Sequence, residues 1–147
     1  MDDLAYLSMR MSTDAPMDDM TWEPEVWDAA RFRRSEESTT LRRRRRIGTA
    51  VVHEESGHAV GFTEIGLSEL APEVGYQWAT LVVTEHRGHG LGMVLKSHNH
   101  HYTGQLSPQT RWINTWNAAE TNPWMVSVNE RLGFEPREFW TAWQLDR

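Results

Sequence analysis

Cysteine is absent from the 147 residues, which excludes a disulfide framework, a thiolate-zinc site and a cysteine nucleophile. No apolar run reaches membrane-spanning length and no charged-then-apolar leader opens the chain, so a cytoplasmic protein with no membrane partner is expected. No Pro/Gly/Ser linker, repeat or low-complexity tract divides the sequence, which therefore reads as one domain over residues 1–147 with 39% hydrophobic content. Lysine is almost missing: fourteen of the fifteen basic residues are arginine. Tryptophan is the excess, with eight copies, roughly four times average usage.

The net charge of −6 hides a split. Residues 1–30 carry eight acidic groups against Arg10, whereas residues 31–46 carry eight arginines against Glu36 and Glu37. A run such as Arg42 to Arg46 suits phosphates. The negative total opposes a nucleic-acid role, and pairing of this run with the acidic N-terminal segment is expected instead.

The periodicity predicts a helix over 2–11, stopped by Ser12-Thr13-Asp14-Ala15-Pro16. Glu23-Pro24-Glu25 predicts the start of a second helix running to about Ser38, with Val26, Trp27, Ala30 and Arg34 on its inner side. Strands follow at Ile47–His53 and Ala59–Leu67, joined by a turn at Glu54–Gly57. Ala71-Pro72-Glu73 is expected to break the chain before a strand over Tyr76–Thr84. A helix over Gly90–Gln105, a strand over Thr110–Trp116, a helix over Asn122–Leu132 and a last strand over Phe139–Leu145 complete an α/β domain around one mixed sheet.

The chemistry concentrates in Val82-Val83-Thr84-Glu85-His86-Arg87-Gly88-His89-Gly90-Leu91-Gly92, where a buried strand runs into a glycine-rich turn that opens a helix. Bare amides converge there and add to the positive end of the helix dipole, so the segment favours an anion. Glycine lets a phosphate approach the backbone, and Arg87 adds a fixed positive charge. The Gly-Lys-Ser/Thr ending of a Walker loop is missing, and no acidic strand end follows at dinucleotide-binding distance.

Arg87-x-x-Gly90-x-Gly92 after a strand resembles the phosphate-binding signature of the GNAT acetyltransferase family. Asn117, Asn122, Met125, Asn129 and Leu132-Gly133-Phe134 are similar to the strand-helix-"LGF" segment that ends the acetyl-CoA site in that family. The likeness runs over about residues 22–147 and is nearest to actinobacterial tandem-GNAT proteins, such as the C-terminal domain of mycothiol synthase. It implies a GNAT fold: a mixed, mostly antiparallel sheet of about six strands flanked by helices. Residues 1–40 would form N-terminal helices on the acceptor side, and residues 41–147 the acetyl-CoA-binding core. The family's first edge strand has no counterpart before Leu4, so a homodimer or a partner GNAT domain is expected to supply that edge.

The resemblance also implies roles. Backbone groups of Leu81, Val82 and Val83 would bond pantetheine. Arg87, Gly88, His89, Gly90, Leu91 and Gly92 would hold the pyrophosphate, with Asn117, Asn122 and Met125 along the pantetheine path. An amine of a small molecule or peptide would attack the thioester of acetyl-CoA, with a base taking its proton and an acid protonating the leaving thiolate. Two departures stand out. The family's tyrosine acid is replaced by Asn129, which hydrogen-bonds but cannot donate a proton to a thiolate; Tyr76 and Tyr102 are weaker substitutes. The carboxylate base has no counterpart at Gln77, Trp78 or Ala79, which leaves Glu64 on the neighbouring strand. The alternative implied is a catalytically weak acyl-CoA-binding half-domain with a regulatory or structural role.

His98 and His101 share a helix face, but no carboxylate accompanies them at matching spacing, so no metal is expected. Trp27, Trp112 and Trp143 are assigned to core faces; Trp22, Trp78 and Trp116 are expected to line the acceptor cleft.

Overall fold

The computed structural model describes residues 2–15, 23–118, 120–141 and 143–145. Within them the order is α1 (Asp2–Asp14), α2 (Ala29–Leu41), β1 (Arg44–Val52), β2 (Ala59–Ser68) and β3 (Ala71–Val82). A short 3₁₀ turn (Thr84–His86), α3 (Leu91–Leu106), β4 (Trp112–Asn114) and α4 (Pro123–Arg131) follow.

The strands form one open sheet in the order β1-β2-β3-β4, antiparallel except for β4, which runs parallel to β3. Four strands, rather than about six, are present among the described residues. The segment expected as a last strand, Phe139–Leu145, has no strand structure at its described positions, and its large side chains are exposed. A three-residue β4 offers few ladder groups for another strand to bond.

Side-chain alternation divides the sheet into two faces. Thr49 donates to Asn99, whose amide reaches the Ile47 carbonyl, so Ile47, Thr49 and Ile65 face α3. Arg46, Phe62 and Glu64 point the other way. There Arg46 donates to Ser35 and Thr39 of α2, and Leu7 of α1 packs with Phe62 and Leu81. The second helix starts at Ala29 because the Asp28 carboxylate caps it, accepting from the Arg31 amide. Glu23-Pro24-Glu25 lies outside it. Phe32 is the buried residue of α2, whereas Val26 is exposed, contrary to the expected inner face.

Two further expectations change. β3 begins at Ala71, so Pro72 opens the strand rather than breaking it; this position is free of β4, whose pairing starts at Val74. Trp112 and Trp143 are not core residues but are 62% and 92% exposed. The core is built from Leu, Ile, Val and Phe, above all Leu7, Phe62, Leu81 and Leu95, together with Ile47 and Ile65. Of the arginine run, Arg43 pairs with Glu69, Arg46 with Glu64, and Arg45 donates to the Leu106 carbonyl.

Candidate functional site

β2 and β3 change register between Glu64 and Ile65: Glu64 pairs with Ala79 and Ile65 with Gln77. Trp78 is therefore an extra residue, a bulge that bends β3. β4 accompanies β3 only along Val74–Tyr76. From Gln77 onward the β4-side edge of β3 has no strand beside it among the described residues, and a cleft of about 1000 Å³ opens there. Trp78, Leu81 and Val82 line one wall, Trp116, Asn117, Asn122 and Met125 another, and the glycine turn closes one end.

That turn has the geometry of an anion cradle. Gly88 and Gly90 adopt φ of +84° and +73°, a region costly for residues with a Cβ. Nothing stands within 4 Å of where a Cβ would project at Gly88, Gly90 or Gly92. The backbone amides of residues 88–92 donate to no protein backbone acceptor among the described residues, and Gly90 caps α3. Free amides at the N-terminus of a sixteen-residue helix concentrate positive potential in the cleft.

The turn is tied to α1 through Asp14. Its carboxylate accepts from Arg10 at 2.6 Å and from Thr84 at 3.1 Å, while Arg10 also reaches Glu85 at 3.2 Å. The Arg10 guanidinium holds the Asp14 carboxyl down at about 2. Arg87 folds back on this clamp, donating to the Val82 and Asp14 carbonyls. The Val82 carbonyl is thus occupied by Arg87.

Of the residues singled out from the sequence, Leu81, Val82, Arg87, Gly88, Gly90, Leu91, Gly92, Asn117, Asn122, Met125, Trp78 and Trp116 line this cleft. Asn122 also caps α4, accepting from the Met125 amide. Val83 is buried in the core beside Phe62 and Leu81. The His89 side chain lies over an adjacent hollow of about 510 Å³ lined by His53, Glu54 and Glu55. Trp22 lies outside the described residues.

Glu64 sits on the α2 face, 3.4 Å from Arg46, one register pair from cleft-lining Ala79, but does not itself line the cleft. Burial raises its pKa, against the opposing pull of Arg46. The Trp78 ring covers Gly66, where a Cβ would meet it at 2.1 Å, and the Arg46 guanidinium lies 5.5 Å from the ring centroid. Asn129 is buried, and its side-chain oxygen and nitrogen have no hydrogen-bond partner among the described residues. Tyr76 stacks on Trp116 at 5.9 Å, and Tyr102 is exposed.

Sequence reasoning missed the cleft floor. Lys96 of α3 is only 1% exposed yet lines the cleft, with its Nζ 5.1 Å from the Phe134 ring centroid. Burial pulls its pKa to about 8. One turn on, His100 lies 3.3 Å from the Gln77 side-chain oxygen, and burial followed by the Lys96 charge lowers its pKa to about 4. The Gln77 amide donates to Thr63 and to the Glu64 and Ala79 carbonyls, fastening the bulge. The available signal was that Lys96 is the chain's single lysine. No group of three or more side chains suited to a metal occurs among the described residues, nor does a helix long and apolar enough to cross a membrane.

No protein-family model and no curated protein matches the sequence. Solved structures do. A tandem GNAT protein from the clavulanic acid biosynthesis pathway is 31% identical over 91% of this chain, with a TM-score of 0.68. The chain spans 37% of that protein's length. A Trypanosoma brucei acetyltransferase superposes at TM-score 0.69 with 16% identity, over 98% of this chain and 93% of the other. The AAC(6')-Iy structure in complex with a bisubstrate analogue of coenzyme A and an acetylneamine superposes at 0.61 with 15% identity, over 99% and 92%. The structural neighbours thus include a tandem GNAT protein and further acetyltransferases, and the open mixed sheet flanked by helices matches their fold.

Proposed function

We propose that the protein is an acetyl-CoA-dependent N-acetyltransferase acting on an amine of a small molecule or peptide. The observation that carries this reading is the cleft where β3 leaves β4, because it joins a free strand edge to an amide-lined helix N-terminus. The edge suits the amides of a pantetheine arm, and residues 87–92 suit a pyrophosphate. Leu81 and Val82 supply strand groups other than the Val82 carbonyl, which Arg87 holds, and Asn117, Asn122 and Met125 flank the arm. Val83, buried just past the end of β3, and His89 contribute through their backbone. A neighbour of similar fold is solved with a bisubstrate analogue of coenzyme A, which supports this reading.

The acceptor approaches on the α1/α2 face, where Trp78 and Trp116 form apolar walls; Trp22 is assigned to the same cover. Glu64 takes the amine proton through water, since it stands one register pair back from the cleft. Burial makes it a stronger base than an ordinary carboxylate. Asn129 offers an amide to the departing sulfur. Residues 1–40 form the acceptor side and residues 41–147 the cofactor core of one cytoplasmic domain. The kinship to actinobacterial tandem proteins of the mycothiol synthase type belongs to the same proposal, as does a homodimer or partner GNAT domain along β1. The second reading, an acyl-CoA-binding half-domain of low activity, is favoured by Asn129 and by the 37% share of the tandem relative.

Thermal shift with acetyl-CoA tests binding, and CoA release over a panel of primary amines tests turnover. Stabilisation with turnover supports the enzyme; stabilisation without turnover supports the half-domain; no stabilisation removes both. Glu64→Gln is expected to lower kcat about a hundredfold. The native rate should climb with pH through an acid limb above the usual carboxylate range, because the base must be deprotonated. Native-like turnover by the variant would remove Glu64 from the role.

A further inference from the structure

Resting on the acetyl-CoA reading, we infer that the Lys96 ammonium meets the coenzyme A sulfur and protonates it as the thioester breaks. The geometry gives the position. β3 runs toward the glycine turn and α3 returns from it, with His100 opposite Gln77 at 3.3 Å. Lys96 is four residues nearer the turn, about 6 Å along the helix. That distance corresponds to about two strand residues, which places Lys96 level with Ala79. Ala79 adjoins the bulge, where β3 has lost β4; on the acetyl-CoA reading the acyl end of an extended pantetheine arm would come to rest there.

Among the described residues, none supplies Lys96 with a counterion. His100 on its own helix is a neutral neighbour; Gln77 and Thr80 of β3 and Thr63 of β2 are polar but uncharged. From α4 come Arg131 and the uncharged Asn129. At the far end of the cleft stand His86 and Arg87, and Asp14, the one carboxylate lining it among the described residues, is engaged by Arg10. The ring of Phe134 is the contact made by the ammonium. An almost wholly buried cation facing a cleft, with an aromatic ring and uncharged polar groups around it among the described residues, is incompletely compensated, and a thiolate supplies the missing charge.

The proton count closes. The amine nitrogen attacks the thioester carbon, a C–N bond forms, and the C–S bond breaks with its electron pair on sulfur. The Nζ proton passes to sulfur, leaving a thiol and a neutral lysine. The attacking nitrogen's proton leaves through Glu64 and water, and Lys96 is reprotonated from solvent after CoA departs. Arginine, the other fourteen basic residues, would not release this proton. Burial brings the ammonium to about 8, close to an ordinary thiol, so the transfer is nearly balanced.

The test needs no acceptor. Coenzyme A is titrated in complex with native protein and with Lys96→Met, following thiolate ultraviolet absorbance against the desulfo-CoA complex as blank. Met keeps the length and removes the charge, and desulfo-CoA binding checks that the cleft survives. On native protein the bound thiol should ionise about one pH unit below free CoA, roughly tenfold more thiolate at a given lower pH, and the shift should vanish in Lys96→Met. Lys96→Arg should preserve it. If CoA binds native protein but ionises as it does free, or the shift persists in Lys96→Met, the role of Lys96 is overturned and the acetyl-CoA reading stands. If neither CoA nor desulfo-CoA binds native protein, both fall.

Discussion

At the scale of single residues, the site depends on side chains whose surroundings differ from what their types suggest. Glu64 is a surface-type residue on a strand, yet it is largely enclosed beside Arg46. Trp78 is one of eight tryptophans, and the bulge turns it onto Gly66. A Cβ at residue 66 would stand 2.1 Å from that ring, so Gly66→Ala must move Trp78. The expected result is a rise in acceptor KM of about fivefold, equivalent to about 1 kcal/mol, with little change in the acetyl-CoA Kd. Equal acceptor KM in native and variant protein would exclude Trp78 from the acceptor wall. Of this, the sequence carried the candidates but not their packing, because the register of β2 against β3 decides which way residue 78 points.

Among the elements, α1 and the glycine turn act as one unit. Arg10 and Asp14 at the end of α1 grip Thr84 and Glu85, and Arg87 closes onto the Asp14 carbonyl. Loss of the Asp14 carboxylate frees the turn that precedes α3. Asp14→Ala is expected to lower stability by about 1 kcal/mol, a Tm decrease of roughly 4 °C, and to weaken acetyl-CoA binding. The native carboxyl titrates near 2, below its unfolded value near 4. Its contribution is therefore present above about pH 4 and disappears as pH falls toward 2. Urea midpoints from pH 5 to 2 check this: native and variant curves should converge at the acid end, and coincident curves throughout would show that the clamp contributes nothing. Helix α3 was legible because glycine before an apolar run is a local signal. Helix α2 was misplaced by several residues because the Asp28 cap overrode the earlier Glu23-Pro24-Glu25 signal.

For the whole molecule, the outer edge of β1 is unpaired among the described residues, and Phe139, Trp140, Trp143 and Leu145 are exposed. Arginine at 44–46 blunts one end of that edge, but Ile47–Val52 carries no charge. Light scattering across a hundredfold concentration range is expected to show concentration-dependent dimers, and a monomer throughout would overturn self-association. A pH effect on the whole fold also follows from His100, whose folded pKa of about 4 lies below its unfolded value near 6.5. The unfolded chain takes up the proton first, so this contribution is lost as pH falls from about 6.5 toward 4.

The amino-acid sequence by itself determined the glycine turn and its converging amides. A strand, three glycines and a helix start create converging amides through local backbone geometry alone. It determined as well the central strands, whose apolar runs need burial wherever they pair. Only the tertiary structure decided the length of the open edge on β3, the turn of Trp78 onto Gly66 and the burial of the single lysine at the cleft. Each follows from contacts between distant segments: β2 against β3 at Glu64 and Ala79, α3 against the sheet at Asn99 and His100, and Phe134 over Lys96. A charge's solvation belongs to the packed assembly rather than to the residue that carries it, and so the chemistry of Lys96 emerged only with the fold.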